Sequence, residues 1–221
     1  ALIPLMYEGD LQGEVLVAGK PVSAWTMGEL SAHVGSVFQN PRSQFVNLDV
    51  TSEIAFGCEN FGIDREEMVE RVAQAAATLG IEGLLGRGTE ALSGGQKQSV
   101  ILASAYAVHP DIFVLDEPTA MLDPNGRKEV IEAVEQLRKE KNVTVILITH
   151  YMEEVIDADQ VFVMDEGHVV MHGTPKEIFS QVDELKKYRM DVPQVTMLAD
   201  ALIQKGVPLP KGILRREELV D

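Results

Sequence analysis

The chain has a single cysteine, Cys58, few aromatic residues (5%) and no apolar run near the roughly 20 residues that a membrane-spanning helix needs. One cysteine excludes an intrachain disulfide, and no Cys/His cluster of zinc-binding spacing accompanies it, so Cys58 is expected to be a buried thiol. The first residues also lack the basic-then-apolar pattern of a secretory signal. Positive charge is scarce: 19 Lys and Arg stand against 35 Asp and Glu in 221 residues, a formal charge of −16. That balance opposes broad attraction to nucleic-acid phosphates or to an anionic lipid surface, which sets nucleic acid aside as a partner. What remains is a soluble chain, 45% hydrophobic with a mean hydropathy of +0.01, able to bury a sizeable core.

The pattern of the chain is that of an α/β protein. Gly13 to Ala18 alternates apolar and polar residues and reads as a strand entering a turn at Gly19-Lys20, and Val34 to Phe38 is a second short strand. Thr51 to Gly62 and Asp64 to Leu79 carry helical spacing, the second with Asp64 and Glu67 in capping-box positions. Ser93 starts a further helix that runs toward Val108 and is closed by Pro110. Ile112 to Leu115 is apolar and too short for a helix, as expected of a strand buried on both faces. Asp123-Pro124 is an N-cap followed by proline at the first helical position, with Val130, Ile131, Val134 and Leu137 on one face of the helix. Val143 to Ile148 is another expected buried strand. The alternation continues through a helix at Tyr151 to Ile156 and a strand at Val161 to Met164, which predicts a parallel sheet with helices on both faces. Asp165 to His168 reads as a hairpin turn, and from Thr174-Pro175 to Asp221 the chain is mainly helical.

Two segments carry chemistry. Ile112 to Pro118 ends an apolar strand in Asp116 and Glu117, placing two carboxylates at the carboxyl edge of a sheet, where open α/β folds bind ligands. One carboxylate can hold Mg²⁺ while its neighbour deprotonates a water for attack on a phosphoryl group; two acids that simply end a strand in solvent are the alternative. Leu92-Ser93-Gly94-Gly95-Gln96 sits where a helix begins, with Ser93 able to cap and two glycines leaving backbone N–H groups open at the positive end of the helix dipole. That suits a phosphate, although a plain glycine turn has the same composition.

Taken in order, Gln39, Leu92 to Gln96, Leu115-Asp116-Glu117-Pro118, Leu122-Asp123 and His150 after an apolar strand resemble the nucleotide-binding subunits of ABC transporters over almost the whole chain. Gln39-Asn40-Pro41 with Gln44, Ala55-Phe56-Gly57 with Glu59-Asn60, and Asp191-Val192-Pro193 resemble the energy-coupling-factor branch, whose ATPases drive vitamin or metal-ion uptake. The resemblance implies a P-loop NTPase of the ABC-ATPase fold, with an ATPase domain over 1–188, a helical subdomain over about 50–110 and a C-terminal helical extension over 189–221. It implies ATP and Mg²⁺ as cofactors. Gln39 would be the Q-loop glutamine sensing Mg²⁺ and the attacking water, Asp116 the Mg²⁺ carboxylate and Glu117 the catalytic base. Ser93, Gly94, Gly95 and Gln96 would be the signature that closes over a γ-phosphate held by the opposite subunit, with Asp123 the D-loop aspartate and His150 the switch histidine. An imidazole at a strand end can donate a hydrogen bond to phosphate at neutral pH. The implied partners are a second ABC ATPase subunit and transmembrane transporter subunits, at the cytoplasmic face of the cell membrane.

The sequence departs from the family in three places. Met121 stands where a small residue is usual, Ser99 where a basic residue commonly follows the signature, and no G-x-x-x-x-G-K-S/T occurs in the 221 residues. That last loop supplies the N–H cradle and lysine for the β- and γ-phosphates, and the family's aromatic platform for adenine is absent as well. In the family the segment matching Ala1 to Gly13 lies just after the loop, so the expectation is an N-terminally incomplete subunit that by itself binds ATP poorly. The alternatives are a degenerate module lending its signature in trans, and an ABC ATPase of DNA repair. The latter usually carries inserted coiled coils or zinc modules, and neither is present.

Overall fold

The computed structural model describes residues 12–141 and 143–220, so the opening segment 1–11 and Asp221 lie outside the account that follows. The described chain opens on a hairpin, β1 (Leu16–Val17) and β2 (Lys20–Pro21). Its turn residues Ala18 and Gly19 both have positive φ, 50° and 75°, which matches the twist of a two-residue hairpin. A helix that the apolar spacing did not announce, α1 (Met27–His33), follows. Its signal is Thr26 with Glu29, a capping box in which each side chain satisfies the other's backbone N–H.

The central sheet joins β3 (Val34–Val37), β4 (Ile112–Asp116) and β5 (Thr144–Ile148) in parallel, in the order β3-β4-β5. Between β3 and β4 the chain inserts α2 (Val50–Asn60), α3 (Arg65–Thr78) and α4 (Gly94–Ala107). The last ends where His109 takes φ 58° and Pro110 forbids continuation. α5 (Pro124–Lys141) crosses from β4 to β5. One core runs through these elements, with Ile54, Val100, Leu102, Tyr106, Phe113, Leu115, Val130 and Leu137 buried. Cys58 belongs to it: the thiol is fully buried, donates to the Ala107 carbonyl at 3.4 Å, and burial pushes its pKa up.

Two local expectations change. Asp64 sits at the N-cap of α3 without a side-chain hydrogen bond there, and Glu67 instead pairs with Arg71 at 2.6 Å one turn on. β5 is covered on one face only: Val145 and Leu147 pack against the core, whereas Ile146 and Ile148 on the other face stay 40% and 49% exposed.

By compactness the chain divides into Ala1–Ile148 and Thr149–Asp221. This criterion differs from the family-domain boundary expected at 188/189. In the second unit β6 (Val161–Asp165) and β7 (His168–Gly173) form an antiparallel hairpin whose turn residues Glu166 and Gly167 have φ 45° and 81°. Val161 to Met164 therefore pairs antiparallel with its own successor among the described strands, since the tight turn returns the chain directly. Where a helix was expected at Tyr151 to Ile156 there is one 3₁₀ turn, Met152–Glu154, with Thr149 Oγ1 donating to Glu154 at 2.7 Å. The hairpin packs with α6 (Pro175–Phe179) and α7 (Val182–Lys187) around Val163, Ile178, Phe179 and Leu185. α8 (Gln194–Gln204) and α9 (Glu217–Val220) complete the described chain.

Capping gives this fold a measurable acid response. In α6, Thr174 N–H and Oγ1 each donate to Glu177 at 2.8 Å, and those bonds hold the Glu177 carboxyl below its ordinary value of 4.5; Glu29 is held down in the same way by Thr26. A depressed carboxyl contributes stability above about pH 4.5 that is lost as pH falls through the lowered value. The Glu177→Gln protein is therefore expected to lose less stability than the parent between about pH 6 and about pH 3, as read by urea midpoints.

Candidate functional site

β4 sets the two carboxylates by its alternation. Phe113 and Leu115 point into the core, and Asp116 ends the strand exposed, opposite Ile148 of β5. Glu117 follows with φ 45°, a left-handed conformation that costs a non-glycine residue energy and is typical of sites where the surroundings impose it. The surroundings here are backbone hydrogen bonds: Glu117 N–H donates to Ile148 O at 2.9 Å, and Ala120 N–H closes a turn onto Glu117 O at 3.2 Å. The backward twist turns the Glu117 side chain toward the loop after β3. There Gln39 Nε2 donates to Glu117 Oε2 at 3.0 Å across 78 positions of sequence.

That loop has its own support. Gln44 reaches back along it, its Oε1 accepting from Phe38 N–H at 2.7 Å and its Nε2 donating to Ser36 O at 3.1 Å. One side chain thus occupies backbone groups on either side of β3's end, as a neighbouring strand would. Asn40 Oδ1 accepts from Arg42 N–H at 3.1 Å and starts a single 3₁₀ turn, Pro41–Ser43.

A second group forms where α4 and α5 begin side by side. Ser93 and Gln96 make a capping box, Ser93 Oγ accepting from Gln96 N–H at 3.3 Å and Gln96 Oε1 from Ser93 N–H at 3.1 Å. Asp123 Oδ1 accepts from Gly126 N–H at 2.8 Å and caps α5. The two helix beginnings lie close together: a Cβ on Gly95 would stand in ordinary contact, 3.5 Å from Gly126 Cα, and one on Gly94 would stand 3.3 Å from Leu122 Cδ2. The two N-termini face a cleft of about 260 Å³ lined by Ser93, Gly94, Gly95, Asp123 and the exposed Met121. The N-terminus of α4 favours an anion there, whereas Asp123, already bonded at the start of α5, and Glu129 bring two carboxylates to the same cleft. Beyond the cap, α4 turns Lys97, Gln98 and Ser99 inward, all nearly buried, so position 99 holds a small residue inside the packing.

The structure thus brings Gln39 to Glu117 and gathers Ser93, Gly94, Gly95 and Asp123 around one cleft, with Gln96 bonded to Ser93 beside it, both within the first unit. His150 lies in the second unit, exposed beside Tyr151 with ring centroids 4.2 Å apart. Among the described residues no group of three or more His, Cys, Asp or Glu is placed to hold a metal ion, and no helix is long and apolar enough to cross a membrane. The sole Gly-Lys pair, Gly19-Lys20, has one residue too many after Gly13 and a proline where a phosphate loop needs a hydroxyl. It turns the β1-β2 hairpin, with Lys20 Nζ 4.1 Å from the centre of the Trp25 ring. The chemistry-bearing sequence also hides Gln44 and Glu53 as supports of the Gln39 loop, since a side chain folding back on its own loop leaves no periodic signal.

A parallel sheet ending in an acidic pair, a glutamine loop reaching that pair and a serine-capped glycine cleft are the parts of one family. The profile described as ABC transporter matches residues 2–120, and the chain belongs to the ABC transporter family as an ATP-binding domain. Within it, the chain is 53% identical over 187 residues to the energy-coupling factor transporter ATP-binding protein EcfA1 of Caldanaerobacter subterraneus subsp. tengcongensis, covering 85% of this chain and 68% of that protein. It is 44% identical over 213 residues to the EcfA1 of Latilactobacillus sakei subsp. sakei, covering 96% and 76%. The structure of cbiO1 from Clostridium perfringens, part of the ABC transporter complex cbiONQ, aligns with a TM-score of 0.72 at 34% identity over 86% of this chain and 76% of that one.

Proposed function

We propose that this chain is the ATP-hydrolysing motor subunit of an energy-coupling-factor importer, peripheral at the cytoplasmic face of the membrane and paired with a second ABC ATPase subunit on transmembrane partners. The observation that carries the reading is the Gln39 to Glu117 hydrogen bond of 3.0 Å, which ties the loop after β3 to the carboxylate best placed to act as base. Closure of the dimer on ATP and reopening on hydrolysis would move the membrane partners, with a vitamin or metal ion as the cargo that the resemblance to the energy-coupling-factor branch implies. The ATPase domain would span 1–188, with 189–221 as its extension.

In this reading Glu117 takes the proton of the attacking water and Gln39 orients that water from the other side. Asp116 is an exposed carboxylate at the end of β4, the kind of single oxygen donor that would hold Mg²⁺ together with waters and phosphate oxygens. When bound, Mg²⁺ neutralises charge on the phosphates. The Ser93 to Gln96 segment would offer the first-turn N–H groups of Gly94 and Gly95, which the Ser93–Gln96 capping box does not use, to the γ-phosphate held by the opposite subunit. Asp123 orders that cleft at the subunit boundary, and His150, as the switch histidine, would donate to a γ-phosphate. The reading is tested by Mg²⁺-dependent hydrolysis in the complete protein assembled with its partner ATPase and membrane subunits: chelation should abolish it, and its absence from that complex overturns the reading.

A second reading is that this chain lends its cleft in trans to an intact partner, on the strength of the paired helix beginnings that line it. Mixed with such a partner, hydrolysis that is lost on Ser93→Arg but kept on Glu117→Gln would establish it.

A further inference from the structure

Glu53 is an acidic side chain in the first turn of α2, only 2% exposed, and among the described residues no basic side chain pairs with it. Burying a carboxylate is costly unless donors replace its water. Here two backbone groups do so on one oxygen: Glu53 Oε2 accepts from Val46 N–H at 3.0 Å and from Asn47 N–H at 2.7 Å. These residues belong to the loop that continues from Gln39 and Gln44.

The carbonyl side of the same loop is gripped from a different part of the chain. Thr89, 5% exposed, donates its hydroxyl to Asn47 O at 3.2 Å and Leu48 O at 3.3 Å, and its N–H to Leu48 O at 2.9 Å. Gly86 N–H donates to Thr51 Oγ1 at 2.9 Å, and Val50 N–H to Arg87 O at 3.0 Å. Thr89 opens the 3₁₀ turn Thr89–Ala91, and Ser93 is two residues beyond it. Surface loops are ordinarily mobile, yet this one is fastened by N–H groups on one side and carbonyls on the other.

We infer that Glu53 is a positioning residue that, with Thr89, locks the loop bearing Gln39 and the segment leading to Ser93 into one mechanical unit. Displacing Gln39 from Glu117 then displaces the serine-glycine cleft with it. Because that cleft serves the nucleotide on the opposite subunit, the state of one hydrolysis site is transmitted to the other through Glu53. This consequence for hydrolysis rests on the function proposed above; the mechanical coupling does not.

The test uses the complete protein in its transporter complex, with Glu53→Ala, Glu53→Gln and Thr89→Val. Hydrogen exchange is read in peptides covering 44–49 and 86–92. Glu53→Ala is expected to speed exchange about tenfold or more in both, although Glu53 bonds only the first directly. Thr89→Val, which keeps volume and removes only the hydroxyl, should speed exchange in 44–49 as well. Glu53→Gln retains an acceptor oxygen and should stay within about threefold of the parent. Hydrolysis should follow: kcat down about tenfold for Glu53→Ala with KM changed less than about twofold, and recovered by Glu53→Gln. Faster exchange confined to 44–49 in Glu53→Ala, or an unaffected 44–49 in Thr89→Val, overturns the inference. Should Glu53→Ala not fold, Thr89→Val decides alone. A parent complex without Mg²⁺-dependent hydrolysis removes the proposed function while exchange still decides the coupling.

Discussion

Glu117→Gln in the assembled complex is expected to lower turnover at the site this carboxylate serves by about 10²–10⁴-fold, the range for removing a general base. The amide has the size of the carboxyl and its oxygen can still accept from Gln39 Nε2, now 3.0 Å from Glu117 Oε2. The left-handed backbone at φ 45° and the N–H bond to Ile148 O do not depend on the side chain. Folding stability should therefore change by no more than about 0.5 kcal/mol, as for a surface substitution. Single-turnover hydrolysis with Mg²⁺ and ATP, read against nucleotide affinity, separates the cases: a fall in rate with affinity kept identifies proton transfer, whereas equal losses in binding identify a role in gripping nucleotide. Retained turnover in the mutant would remove Glu117 as base and favour the module that works only in trans.

Phe113→Ala should act in the opposite way, on stability and not on chemistry. Phe113 is 1% exposed in the middle of β4, its ring centroid 6.5 Å from that of Tyr106, and it fills the space left open at Gly35, where a Cβ would come within 3.2 Å of the ring. Removing so large a buried side chain is expected to cost about 3–5 kcal/mol. That is a large share of the roughly 5–15 kcal/mol a domain of this kind possesses. The denaturant midpoint should fall with the slope unchanged. Turnover per folded molecule should hold, because Asp116 and Glu117 are registered by pairing of β4 with β5 through Asp116 and Ile148. A drop in turnover at full folding would mean that the Phe113 ring itself aims the carboxylates.

The site was legible to unequal degrees. Asp116 and Glu117 stand out because an apolar strand must end where carboxylates begin, and Ser93 with Gln96 because a capping box fixes residue types three apart. Glu177 with Thr174 and Glu29 with Thr26 obey the same rule, and the second pair reveals α1, which apolar spacing alone passes over. Asp64 and Glu67 fit the rule as well and form no box, since Arg71 one turn further takes Glu67 into an ion pair. Local patterns therefore propose caps that a competing neighbour can withdraw.

By itself the sequence marked the apolar runs of β3, β4 and β5 as strands of a parallel sheet, the helices inserted between β3 and β4, and the family, because each rests on residues close together in the chain: apolar runs, caps, turns and short motifs. Only the tertiary structure decided that Gln39 reaches Glu117, that the beginnings of α4 and α5 meet through glycines, that Val161 to Met164 pairs with its own hairpin partner, and that Glu53 is buried under two amides of a loop. The physical reason is the same in each case. A hydrogen bond across 78 positions, or a carboxylate that is tolerable in the interior only where N–H groups surround it, depends on which surfaces packing brings together, and no periodicity along the chain encodes that meeting.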